Sequence, residues 1–145
     1  MTPTPDIAPP SSAAPRLAQP LGNGVYLIDT LYVRPGLAGS HLVVQDGRAA
    51  FVDTGPGPAA PRLLAALDEL GIAREQVEWL FLTHVHLDHA GGAGQMMQAL
   101  PNARAVLHPR GAPHMIDPAK LVAGSIAVYG EALYRQLYGE LVPIP

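Results

Sequence analysis

The sequence predicts an α/β fold with α+β layering, in which helices cover a sheet. Three observations carry this expectation. Strand-length apolar runs flank an Asp46-Gly47 turn, leucines recur at helical spacing over 61–70, and the apolar run over 77–82 contains no glycine or proline. Period-2 alternation marks a half-buried strand, whereas apolar residues three and four apart line one helix face. The chain has 145 residues, 48% of them hydrophobic and 14% charged, which suits one domain with a core of its own.

The first twenty residues hold six prolines (Pro3, Pro5, Pro9, Pro10, Pro15, Pro20) among serines and alanines. This composition predicts a flexible tail over 1–20 and a domain over 21–145. The tail lacks the basic start and sustained apolar run of a signal peptide, so the expected location is cytoplasmic. No apolar run approaches the roughly 20 residues of a membrane span, so no membrane association is expected.

Within the domain, 24–29, 40–44 and 49–53 read as strands, with Asp46-Gly47 closing an antiparallel hairpin because both turn positions tolerate positive φ. Residues 54–58 break the chain with glycine and proline. A helix follows over 61–70, with Leu63, Leu64, Leu67 and Leu70 on one face, Pro61 at its start and Gly71 past its end. The run 77–82 suits a strand buried on both faces. Next come a short helix over 95–100, where Met96, Met97 and Leu100 read as core residues, and a strand over 103–107. Asp117-Pro118 then starts helical structure that continues to about Tyr138.

Nine basic and twelve acidic residues leave a net charge of −3 without a basic patch, so no nucleic-acid partner is expected. The absence of cysteine excludes disulfides, thiolate nucleophiles and sulfur-ligated zinc. Any metal is therefore held by nitrogen and oxygen.

Thr83-His84-Val85-His86-Leu87-Asp88-His89-Ala90-Gly91-Gly92 follows the 77–82 strand directly and places four ligand-type side chains within six positions. On extended backbone His84 and His86 point to the same side and can share a metal, and Asp88 and His89 follow where the chain turns. Such a donor set suits zinc and also iron or manganese. Of the other histidines, His41 reads as a structural strand residue, while His108 and His114 are candidate pocket residues.

This segment resembles the His-x-His-x-Asp-His signature of the metallo-β-lactamase-fold hydrolases, and Phe51-Val52-Asp53-Thr54-Gly55 resembles that family's Asp-Thr-Gly strand end. Residues 107–118 are similar to a glyoxalase-II-like and lactonase-like branch, and the resemblance extends over 21–145. It implies an αββα sandwich of which only the N-terminal half is present. His84 and His86 would bind a first metal, and Asp88 and His89 a second. The cofactor implied is one or two zinc ions, with iron or manganese as alternatives. Asp88 would also orient the attacking hydroxide and assist leaving-group protonation. Asp53 would be a buried carboxylate supporting the metal loop; the local sequence is equally consistent with a turn-capping aspartate.

The resemblance implies a small-molecule carboxyl ester, lactone or thioester as substrate. It also implies further ligands, in a Pro-Gly-His turn, a later aspartate and a final histidine, and none of these motifs follows here. Two alternatives therefore stand beside the hydrolase: a truncated or split half-domain that binds metal or a partner without turnover alone, and a mononuclear iron dioxygenase. A half sandwich leaves one sheet face apolar and uncovered, which predicts self-association or pairing with a complementary C-terminal half.

Overall fold

Two-residue turns with both positions at positive φ set the antiparallel part of the sheet. In the computed structural model, which describes residues 16–139 and 141–145, Asp46 and Gly47 have φ of 52° and 73° and join β3 (Gly39–Gln45) to β4 (Arg48–Val52). Asn23 and Gly24, at 55° and 78°, likewise join β1 (Ala18–Gly22) to β2 (Val25–Asp29). Primed turns of this kind match the twist of paired strands. Asn-Gly is as strong a hairpin signal as Asp-Gly, and here it pairs β1 with β2.

The strands β1 to β4 are antiparallel, and β5 (Val77–Phe81) and β6 (Arg104–Val106) continue the sheet in parallel with β4, giving the order β1-β2-β3-β4-β5-β6. Parallel neighbours need a crossover, and α1 (Ala60–Leu70) supplies the first one. Pro61 lies in its first turn. At its other end Gly71 takes φ of 69° while the Gly71 and Ile72 N–H groups donate to the Asp68 and Leu67 carbonyls, a Schellman closure. The remaining helices are α2 (Leu87–Ala90), α3 (Ala93–Ala99), α4 (Ala112–Ile116), α5 (Ala119–Tyr129) and α6 (Glu131–Tyr138). The helical run expected up to Tyr138 is thus two helices, divided where Gly130 takes φ of 80° and ψ of 155°. No helix among the described residues is long and apolar enough to cross a membrane.

The core lies between the sheet and α1 and α3. Ile28, Leu42, Phe51 and Leu80 point into it from the strands and meet Leu63, Leu67 and Met96 from the helices, all fully buried. The opposite sheet face carries two registered rows, Leu27-His41-Val52-Phe81-Val106 and Val25-Val43-Ala50-Trp79-Arg104. Burial of 77–82 on both faces is therefore met on one side only. Val77 and Leu80 are excluded from solvent, whereas Trp79 and Phe81 stack on each other and remain 39% and 38% exposed. His41 sits in this open face and is exposed.

The tail boundary also needs correction. Residues 1–15 lie outside the described residues, but β1 begins at Ala18, inside the stretch assigned to the tail. The Leu17 and Ala18 N–H groups donate to the two Glu69 carboxylate oxygens at 3.1 and 3.0 Å, and Ala18 is buried. An anchor 51 residues away leaves no local mark in a proline-rich stretch.

Phe51→Ala empties a fully buried ring site at the centre of the sheet and is expected to cost about 3–5 kcal/mol. Denaturant unfolding measures it.

Candidate metal centre

Because β4 and β5 are parallel, their C-terminal ends emerge side by side, and the Phe81 carbonyl accepts the Asp53 N–H at 2.7 Å. Asp53 turns the chain there with φ of 61°, a left-handed conformation that is uncommon for a residue with a side chain and that recurs at functional sites. Its carboxylate reaches across to the next strand end. Oδ1 accepts the Thr83 N–H at 2.9 Å, and the Thr83 hydroxyl lies 3.0 and 2.8 Å from Oδ1 and Oδ2. Behind it, the Ser40 hydroxyl donates to the Asp53 carbonyl at 2.8 Å.

The next two residues hold the histidine loop. The Thr54 and Gly55 N–H groups both donate to the His89 carbonyl, at 2.8 and 3.1 Å, and the Gly92 N–H returns to the Gly55 carbonyl at 2.9 Å. Gly55 is required on two counts. Its φ is 70°, and a Cβ there would press into the Thr30 side chain. A side chain at Gly92 would lie 3.3 Å from both the Pro56 carbonyl oxygen and Thr54 Oγ1, so glycine lets the two segments close together.

Of the four ligands expected from sequence, this scaffold brings His84 and His89 together with Asp53, while His86 and Asp88 lie beside that group and outside it. Ligand atoms of Asp53, His84 and His89 all lie within 4.8 Å of one another. The His84 ring stands 4.3 Å from that of His89 and 4.9 Å from that of His86, which it meets edge-on. His89 sits between two carboxylates, with Nδ1 3.3 Å from Asp53 Oδ2 and Nε2 3.3 Å from Asp88 Oδ2. Asp53, expected from sequence as a supporting carboxylate, thus lies among the converging ligand-type atoms. Close-packed imidazoles and carboxylates at one strand end are a donor set that fits a divalent cation.

Thr83 is the residue that sequence reasoning missed. Its hydroxyl also lies 2.9 Å from His84 Nδ1. A carboxylate only accepts, so the single Thr83 proton goes to Asp53 and Thr83 Oγ1 accepts from His84 Nδ1–H. The lone pair of His84 then sits on Nε2, which leaves that nitrogen free to ligate a metal. A threonine preceding the first histidine was a visible signal, but its partner lies 30 residues earlier.

His108 and His114 are not among the three converging residues. His108 is exposed and its Nδ1 accepts the Arg110 N–H at 3.1 Å, tying a turn, while His114 is half-buried on α4.

Under the loop lies a tyrosine cluster with no regular spacing in the sequence. Leu87 packs with the buried Tyr134 and Tyr138 and the partly buried Tyr32. The Tyr32 and Tyr138 rings stack with centroids 5.8 Å apart and their hydroxyls lie 2.7 Å apart. Burial raises the Tyr32, Tyr134 and Tyr138 phenols above their ordinary value of 10.0. For Tyr32 the Asp88 carboxylate adds to the rise, whereas the Tyr138 hydrogen bond opposes it.

Residues 33–143 match the sequence model described as "Metallo-beta-lactamase superfamily". A hydroxyacylglutathione hydrolase of Salmonella paratyphi A is 35% identical over 94 residues, which span 62% of this chain and 34% of that protein. Recombination protein 2 of Haemophilus influenzae is 34% identical over 99 residues, 65% of this chain and 12% of that protein. Among solved structures, Rm3 metallo-beta-lactamase superimposes with a TM-score of 0.60 at 26% identity, covering 71% of this chain and 36% of its own. A mutant metallo-beta-lactamase from Cronobacter sakazakii reaches 0.64 at 22% identity over 90% of this chain and 46% of its own, a likeness of fold alone. The chain spans about a third of the length of the hydroxyacylglutathione hydrolases it matches.

Two outcomes follow from this geometry. Thr83→Ala leaves the buried Asp53 carboxylate without its hydroxyl partner and should lower stability by about 1–3 kcal/mol in urea unfolding. Raised phenol pKa values mean that the folded state holds these protons more tightly than the unfolded chain. Their contribution is complete below the unfolded value near 10 and declines as pH rises through the folded values, so the urea midpoint should fall between pH 8 and pH 11. The sequence has a single lysine, Lys120, so tyrosines dominate titration in that window.

Proposed function

Because the chain belongs to the metallo-beta-lactamase superfamily, we propose that it is a metal-dependent hydrolase acting on a carboxyl ester, lactone or thioester. The observation that carries this reading is the convergence of Asp53, His84 and His89 within 4.8 Å at two parallel strand ends, with His86 and Asp88 flanking them. His84, His86, Asp88 and His89 are the proposed metal-holding side chains, joined by Asp53. One or two zinc ions are the proposed cofactor. Such a cation, when bound, lowers the pKa of its water toward neutrality and polarises the electrophile.

The chain's own groups do the remaining work. Thr83 keeps His84 in the tautomer that leaves Nε2 free, and Asp53 keeps Thr83 in place. The half-buried Asp88 carboxylate can take a proton from attacking water and pass it to the leaving group. The similarity to a hydroxyacylglutathione hydrolase supports a thioester among the candidate substrates. A second reading, in which metal is held but turnover requires another polypeptide layer on the sheet, is favoured by the exposure of Trp79 and Phe81.

Zinc titration by calorimetry, paired with hydrolysis of S-lactoylglutathione and a simple lactone, tests the reading. Zinc should bind, His86→Ala and chelator should abolish turnover, and Asp53→Asn should weaken zinc or lower activity by about 10–100-fold. Zinc affinity unchanged in both variants would overturn the assignment. Metal binding without turnover would favour the second reading.

A further inference from the structure

The loop over 30–38 joins β2 to β3 at the same end of the sheet as the histidine cluster. It contains two strained residues on either side of Tyr32. Leu31 and Val33 take φ of 56° and 63°, and for a β-branched valine this is an outlier conformation. The strain is held in place: the Asp29 carboxylate accepts the Leu31 and Gly36 N–H groups at 2.9 and 2.7 Å, and Thr30 donates through both its N–H and its hydroxyl to the Ala38 carbonyl. The fold thereby exposes apolar side chains at Leu31 and, at 64%, Val33. Strained backbone that the surrounding structure holds in place recurs at ligand clamps and switch regions.

These residues line a cavity of about 470 Å³ whose far walls are Pro58 and, from α6, Leu133 and Leu137. That volume is in the range of small-molecule sites. Tyr32 lines the same cavity and packs against the cluster that holds Leu87, the residue before Asp88, so the cavity adjoins the histidine loop. Its one cationic lining group is Arg62, whose Nε donates to the Asp29 carbonyl, which fixes the guanidinium at the wall.

We propose that this cavity binds the apolar tail of an acyl chain, with Leu31, Val33, Leu133 and Leu137 as the walls that meet it. That the chain is the acyl part of a substrate rests on the hydrolase reading; that the cavity binds it does not.

Calorimetry with sodium octanoate, with acetate as comparator, tests this on the full chain. Octanoate should bind and acetate should not. Leu133→Asp puts a charge on the wall at a partly exposed position and should weaken octanoate at least about tenfold. If that variant does not fold, Val33→Asn decides. Asparagine tolerates the left-handed conformation, so this protein should melt no lower than wild type and still lose octanoate affinity. Octanoate binding no tighter than acetate, or unchanged affinity in the deciding variant, overturns the proposal. Octanoate binding without zinc-dependent turnover would sink the hydrolase reading and leave the cavity standing, whereas turnover of S-lactoylglutathione without octanoate binding would do the reverse.

Discussion

The Asp53 carboxylate holds the ends of two parallel strands together by accepting the Thr83 N–H and hydroxyl. Most of the candidate site depends on that junction. Thr83, once committed to Asp53, orients His84; Asp53 reaches His89 with its other oxygen; and the adjoining Thr54 and Gly55 amides clasp the His89 carbonyl. Partly buried hydrogen bonds of this kind are individually modest, but leaving the buried Asp53 carboxylate without its partners is costly, so the group behaves as a unit. The price in backbone strain at Asp53 is local, and it aims a carboxylate where a straight strand end would not.

Packing beneath the loop is divided between two clusters. The larger core lies between the sheet and α1 and α3, while Leu87 inserts into the tyrosines contributed by α6 and the 30–38 loop. The histidine loop is therefore supported by elements far apart in the chain. The same tyrosines link the loop to the cavity, since Tyr32 both stacks on Tyr138 and lines the cavity wall.

The sheet is apolar on both faces yet packed on one. Its open face exposes Val43, Trp79, Phe81 and Val106, with His41 and Arg104 in the same two rows, an exposed surface of the kind that marks interaction sites. Strand β5 reads as doubly buried because its side chains alternate between two apolar environments only when a second layer is present.

Local chemistry was legible wherever one residue's backbone preference or one short pattern sufficed. Asp46-Gly47, the leucine stripe of α1 with Pro61 and Gly71, and the His84–His89 spacing are of this kind, because turn conformation, helical period and side-chain direction act over a few residues. What lay beyond reach depended on long-range contacts: the Glu69 anchor that draws Ala18 into the sheet, the Asp53–Thr83 bonds that bring Asp53 among the donors, and the tyrosines that gather under Leu87 without any stripe of their own. Sequence alone determined which side chains are of ligand type, since that is a property of the residue. Tertiary structure decided which of them meet, because the parallel alignment of β4 and β5, made by a crossover of two dozen residues, places Asp53 against Thr83.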